Sequence, residues 1–179
     1  LHWGDLSKCS LSLLKDFLKS DIYVIFGSSY IKGELLNFLC ERKALNIHMG
    51  VSPYYRGTDC NFWALFDDNP HLVGATIHML SSGLDNGPIL YHALSNIKTN
   101  PFEYTMYAVK SAFYSMVERI KNKSILNIDP AIQDNKKEIR YSKKADFKES
   151  VVNKYFQKKI DLNSKSFKYE LLKDPFFLN

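Results

Sequence analysis

The amino-acid sequence predicts an α/β fold. Short apolar runs of strand length alternate with longer segments whose apolar residues recur at helical spacing, and Gly, Asn, Asp and Pro clusters separate them. The run Ile22-Tyr23-Val24-Ile25-Phe26 has no polar break, as in a strand buried on both faces. With 179 residues, 45% hydrophobic and 14% aromatic, the chain holds apolar material for one domain, or for one plus a small appendage.

Taken in order, Ser10 is placed to cap a short helix whose Leu11, Leu14, Phe17 and Leu18 share a face. After the strand at 22–26, Gly27-Ser28-Ser29 turns the chain. Ile31 to Lys43 reads as a helix through the stripe Leu35, Leu36, Leu39 and Cys40, and Leu45 to Met49 as the next strand. Thr58 is the expected N-cap of a helix through Asp67 with Phe62, Trp63, Leu65 and Phe66 turned inward, and Asp68-Asn69-Pro70 ends it. Leu72 to Leu80 and Ile89 to Ile97 read as two β segments joined by a loop. Asn100-Pro101-Phe102-Glu103 opens the clearest helix, with Asn as cap, Pro at the first position and Glu placed for a capping box. Its stripe of Phe102, Met106, Val109, Phe113, Met116 or Val117, and Ile120 is expected to pack across the sheet.

Beyond Ile120 the composition changes. Residues 121–179 hold fourteen Lys or Arg against eight Asp or Glu, whereas residues 1–120 hold ten against eleven. The net charge of +5 therefore lies in the tail. The chain divides on this basis into a core, 1–123, and a basic C-terminal extension, 124–179. Asp146 to Gln157 looks helical, with Phe147, Val151, Val152, Tyr155 and Phe156 as its apolar face. The terminal stretches 169–172 and 175–178 are apolar enough to dock on the core or to make a dimer contact. The lysines alternate with acidic residues, as on a solvated surface. The functional alternative has Arg140, Lys143 and Lys144 meeting the phosphates of a small acceptor. No segment reads as a nucleic-acid-binding module.

No apolar run approaches the roughly 18 residues of a membrane span, and the start does not read as a signal peptide. Cys9, Cys40 and Cys60 are too widely spaced for a zinc knuckle or a redox pair. A cytoplasmic protein with unpaired thiols is the expectation.

Three polar residues carry the chemistry. Asn46 and His48 are two apart, so on an extended segment their side chains leave by the same face and can converge on one oxygen. Asp85, approaching from the loop between the two β segments, would orient the imidazole, favour its charged form and handle a proton. An amide donor, an imidazole and a carboxylate are the parts needed to move an acyl group between nitrogens. Taken singly each has a bland reading: Asn46 as a cap, His48 as a packed ring, Asp85 between glycines as a turn residue.

Their flanks are more specific. The step Asn46-Ile47-His48, the segment Ser52-Pro53-Tyr54-Tyr55-Arg56-Gly57, the strand Gly74-Ala75-Thr76-Ile77-His78 and the loop Gly83-Leu84-Asp85-Asn86-Gly87-Pro88-Ile89 resemble, in this order, the catalytic core of folate-dependent formyltransferases. The resemblance runs from about Ile22 to Ile97. It implies a Rossmann-like core, here partial, since relatives carry alternating strands and helices ahead of the segment matching Asp21 to Gly27. It implies transfer of a formyl group from 10-formyltetrahydrofolate to a primary amine without a metal, with Asn46, His48 and Asp85 as the catalytic set. The co-substrate is expected at Ser28, Tyr30 and Ile31 and at Ser82, Gly83 and Leu84, largely through backbone groups. Arg56 is expected either to touch the acceptor or to anchor its loop. His78 lies in the matching motif but reads as a structural strand residue.

The family spans glycinamide ribonucleotide transformylases, methionyl-tRNA formyltransferases and amino-sugar N-formyltransferases. The extension is too short for a tRNA-binding domain and longer than the first group implies. This layout resembles the sugar enzymes, with a nucleotide-linked amino sugar as acceptor and a homodimer as the expected assembly. Two alternatives compete: a non-catalytic remnant of the family, and a metal-dependent hydrolase using His48, His78, Asp85 and His92. The spacing of that second set matches no recognised metal site.

Overall fold

The structure is a computed structural model that describes residues 4–163 and 166–179. A 3-10 turn at Asp5–Lys8 leads into α1 (Leu11–Leu14), whose cap Ser10 accepts from the Leu13 backbone N–H at 3.3 Å. Phe17 does not join that face and is exposed. β1 (Val24–Phe26), α2 (Gly33–Glu41) and β2 (Leu45–His48) follow as a β-α-β unit with β1 and β2 parallel. β3 (Tyr55–Gly57), α3 (Cys60–Phe66), β4 (Ala75–Met79), β5 (Ile89–Ser95) and the long α4 (Pro101–Lys121) complete the region read as the core. β6 (Arg140–Ser142), α5 (Glu149–Gln157) and β7 (Phe176–Leu178) come from the extension.

The main sheet has the order β1-β2-β4-β5-β7, with antiparallel β2–β4 and β4–β5 pairs and a parallel β5–β7 pair. A second small sheet pairs β3 with β6 in parallel. Residues 124–179 therefore contribute a strand to each sheet, and Ala131 adds an antiparallel bridge to Ile89. On the main sheet, Leu45, Ile47, Ala75, Ile77, Tyr91 and Met116 form one buried cluster. A second, built from Val51, Tyr55, Trp63, Leu65, Val73, Tyr104 and Ala108, lies between α3 and α4. At about 25 cal/mol per Å2 of apolar area removed from water, these clusters supply the main drive for folding.

Four expectations need correction. The strand at 22–26 is not buried on both faces: β1 is an edge of the sheet among the described residues, and Val24 and Phe26 are exposed. Thr58 does not cap α3; Asp59 occupies that position at φ 56°, while the Thr58 backbone bonds to Ser142 of β6. The inner face of α3 is as expected, with Trp63 and Leu65 buried and Phe62 and Phe66, half-buried, packed against the same cluster, Phe62 also against the rings of Phe147 and Tyr155. On α5, Val151 and Tyr155 face the core, but Phe156 points outward.

The fourth concerns α4. Asn100 caps it as expected, accepting from the backbone of Phe102 at 2.8 Å and Glu103 at 3.2 Å. The buried stripe, however, is Tyr104, Ala108, Ser111, Ala112, Ser115 and Met116. Phe102, Met106, Phe113 and Val117 are exposed instead. Small side chains let the helix approach the sheet closely, and its polar members are satisfied there: Ser111 donates to Leu94 O at 2.6 Å and Tyr104 to Pro70 O at 3.0 Å. Among the described residues, no helix is long and apolar enough to cross a membrane.

Candidate active site

β2 delivers two of the three expected residues. Strand alternation sends Leu45 and Ile47 into the core, leaving Asn46 and His48 on the opposite face near the C-terminal ends of β1 and β2. This is where open α/β sheets place their ligands. Antiparallel β4 sets His78 directly opposite Asn46 and Thr76 opposite His48. The third residue arrives on the loop that follows β4. That loop turns back because Asp85 adopts a left-handed conformation, φ 49°, and because Gly87 lies against the Met79 carbonyl, where a Cβ would come within 1.8 Å of the oxygen.

The three groups converge. Asp85 Oδ2 lies 3.4 Å from His48 Nδ1, and Asp85 Oδ1 lies 3.5 Å from Asn46 Nδ2. His78 makes a fourth member: its Nε2 is 3.0 Å from Asn46 Nδ2 and 3.8 Å from Asp85 Oδ1. His78 Nδ1 faces the Met79 carbonyl at 2.8 Å, which requires a proton on that nitrogen. In the neutral ring, Nε2 is then an acceptor, and it holds the Asn46 amide with one N–H toward itself. This fixes the Asn46 flip, since the carbonyl oxygen of the amide would meet a lone pair there.

His48 is buried, and both its nitrogens face acceptors, Nδ1 the Asp85 carboxylate and Nε2 the Tyr55 carbonyl at 3.1 Å. Burial pushes its pKa below the ordinary value, against the opposing pull of Asp85 and the Tyr55 carbonyl. Burial thus opposes charging of the ring, whereas the two acceptors are placed for a ring that carries both N–H groups, the charged form. For Asp85, burial opposes ionisation, but the neighbouring His78 and His48 and the Gly57 backbone outweigh it and hold the carboxyl below its usual range. Asp85 is therefore a carboxylate at neutral pH.

Around these residues lies a cavity of about 400 Å3. Of the residues expected at the co-substrate, Ser28, Tyr30, Ile31, Gly83 and Leu84 line it together with Asn46, His48 and Asp85. Ser82 does not line it; its carbonyl instead accepts from the Tyr30 hydroxyl, which ties the turn after β1 to the Asp85 loop. Arg56 does not line it either. Its guanidinium is taken by Glu138 at 2.9 Å, Asn135 at 3.3 Å and the Leu84 carbonyl at 3.1 Å, which makes it a loop anchor. Arg140, expected among phosphate-binding residues, is held by both oxygens of Asp67 at 2.7 and 2.8 Å and lies over the Trp63 ring.

His92 is directed away from the trio, toward Ser52 O and the Lys173 backbone N–H, each at 2.8 Å, so the four-residue metal set does not assemble. The backbone beside the trio is closely packed as well. At Gly57, φ 92°, a Cβ would fall 1.9 Å from Ser142 O, so the Arg56-Gly57 step needs a glycine for β3 to lie against β6. Sequence reasoning set His78 aside as a structural strand residue, where its register opposite Asn46 brings it to the trio, and it passed over Gln133, whose two contacts to the Asp85 loop leave no local sequence pattern.

The α/β sheet thus gathers an amide, an imidazole and a carboxylate at its strand ends. The family model for formyl transferases matches residues 18–117, and the chain belongs to that family. Solved structures of the same fold include the formyltransferase PseJ from Anoxybacillus kamchatkensis, in complex with UDP-4,6-dideoxy-4-formamido-L-AltNAc and tetrahydrofolate. It is 24% identical with a TM-score of 0.58, and the match covers 78% of this chain and 70% of that one. A 4-N formyltransferase from Francisella tularensis is 22% identical with a TM-score of 0.59, over 78% of this chain and 57% of that one. HypX from Aquifex aeolicus, in complex with tetrahydrofolic acid, is 18% identical with a TM-score of 0.58, over 93% of this chain and 27% of that one.

Proposed function

We propose that this chain carries the catalytic core for formyl transfer from 10-formyltetrahydrofolate to a primary amine, with a nucleotide-linked amino sugar as the acceptor. The observation that carries the reading is the convergence of Asn46, His48 and Asp85 at one cavity. Family membership supports the reaction class. The acceptor class draws on the UDP-linked formamido sugar named in complex with the Anoxybacillus protein.

The cavity suits the pterin end of a folate: Ile25, Ile31, Leu36 and Leu80 supply apolar walls, and Ser81, Gly83 and Asp85 supply a polar edge. In the mechanism, the acceptor nitrogen attacks the formyl carbon and its oxygen becomes negative. The second N–H of Asn46 and an N–H of His48 stabilise that oxygen, Asn46 being aimed by His78. The separations of 3.4 and 3.5 Å to Asp85 exceed those of tight charge-assisted hydrogen bonds, so both donors can turn to an incoming oxygen. Asp85 accepts the proton that the attacking nitrogen loses, directly or through water. Return of a proton to the departing folate nitrogen accompanies cleavage of the C–N bond, leaving a formamide and tetrahydrofolate.

The test is a formyl-transfer assay with 10-formyltetrahydrofolate against nucleotide-linked amino sugars, glycinamide ribonucleotide and methionyl-tRNA, with folate binding measured by calorimetry. Turnover of an amino sugar is expected. Turnover confined to either of the other acceptors would sink the acceptor class, and absence of both folate binding and turnover would sink the enzyme reading.

A further inference from the structure

The Asp85 loop is held from outside by the extension. Gln133 is half-buried, and its Nε2 donates one N–H to Asp85 O at 2.9 Å and the other to Gly87 O at 2.8 Å. The amide orientation is unambiguous, because its oxygen cannot accept from two carbonyls. On the other side of the turn, Arg56 donates to Leu84 O at 3.1 Å and is itself locked by Glu138 from the same stretch of chain. Three carbonyls within four residues thus point away from the cavity onto donors that residues 133–138 supply or hold.

This stretch is anchored in turn: the Ala131–Ile89 bridge precedes it, and the β6–β3 pairing follows it. The loop needs such support. Asp85 sits in the left-handed region, a strained conformation for a residue with a side chain, which persists only where its surroundings over-determine it.

We infer that Gln133 is a positioning residue for catalysis, holding the Asp85 carboxylate in register with His48 and Asn46 through the two carbonyls that flank it. The inference deepens the proposed function and rests on it for its kinetic consequence. Its geometric part stands apart from that reading, because the Asp85–His48 contact can be observed directly through the imidazole. The charged and titratable groups around His48 are Asp85, His78 and Arg56. Withdrawal of the carboxylate alone would lower the midpoint at which His48 takes up a proton.

The experiment compares the full chain with Gln133→Met, which keeps the length and removes both N–H groups, and Gln133→Glu, which sets a carboxylate against two carbonyls. The His48 ring is titrated by nitrogen-edited NMR, its signals assigned with His48→Gln, and steady-state formyl transfer is measured alongside. Both variants should show a displaced His48 midpoint, to lower pH in Gln133→Met, and a kcat lower by about tenfold or more, the scale of an ångström-sized misplacement, with acceptor KM within about twofold. Ile132→Ala, next in sequence with an outward side chain 90% exposed, should change neither.

An unchanged His48 midpoint in both variants would overturn the inference, whether or not turnover fell. If the unmodified chain transferred no formyl group, the proposed function would fail while the titration still decided the role of Gln133. Should neither variant fold, Gln133→Asn, which keeps the donors but withdraws them by one methylene, carries the same expectation.

Discussion

Replacing Asp85 with Asn isolates the charge of the site from its shape. The contacts that hold the loop are made to backbone oxygens of Leu84, Asp85 and Gly87, so they survive the change. What disappears is a negative charge 3.4 Å from His48 Nδ1. At an effective dielectric near 20, a full charge pair at that distance is worth on the order of 5 kcal/mol. Only the part that grows as the reaction proceeds affects the rate, and loss of a positioned proton acceptor typically costs about 10² to 10⁴ in rate, or roughly 3 to 5 kcal/mol of barrier. Initial-rate assays at saturating co-substrate should therefore show kcat down by at least about two orders of magnitude near pH 7, with a thermal unfolding profile close to that of the unmodified chain. Turnover within a few-fold of normal would refute the reasoning and reduce Asp85 to a turn residue.

Three further outcomes follow from the same geometry. His78→Ala should free the Asn46 amide to flip and lower kcat by about tenfold with little effect on acceptor KM, as read by steady-state kinetics; unchanged kcat would remove His78 from the site. His92 has its pKa pushed down to about 4 by burial, from 6.5. The unfolded chain therefore binds the proton first, and stability is full above pH 6.5, declining as the pH falls toward 4 by up to about 3 kcal/mol. Urea unfolding across this window should show that loss, and His92→Gln should flatten it; an identical slope in the variant would refute the assignment. Gly87→Ala would place a methyl 1.8 Å from the Met79 carbonyl oxygen. The loop must then move, so both kcat and the unfolding midpoint should drop, and a neutral result would contradict the packing described.

Much of this site was legible because it depends on local rules. Period-two alternation places Asn46 and His48 on one face whatever the rest of the chain does, and the glycines around Asp85 mark a turn near a strand end. The Asn100 cap and the start of α4 follow equally from local chemistry. What could not be read are properties of the packed whole. Hydropathy singles out Phe102, Met106 and Phe113 as the inner face of α4, yet close approach to the sheet selects Ala108, Ser111, Ala112 and Ser115. The environment of His48 is another such property: sequence supplies the neighbouring carboxylate but not the burial that opposes it. His78 acquires a part only through its register with Asn46, which no spacing along the chain encodes.

The extension poses the same issue at larger scale. Its basic composition suggests a solvated appendage, but charge counts do not reveal which groups are already paired. Arg140 is paired with Asp67 and Lys158 with Asp68, while Glu138 is paired with Arg56 and Asp174 with Arg119, so these pairs leave the basic excess of the segment unchanged but occupy Arg140, the arginine expected at a phosphate. The segment's structural contribution runs through its backbone and one amide: β6 beside β3, β7 beside β5, and Gln133 on the Asp85 turn. A carboxylate carried on an exposed loop would sample many positions, and each ångström of drift weakens both its field at His48 and its reach to a reacting nitrogen. Tying that loop to a strap that is itself stitched into both sheets converts the stability of the fold into precision at the site. Truncation ahead of Gln133 would therefore affect the arrangement of Asn46, His48 and Asp85 before it affected the main sheet's central strands.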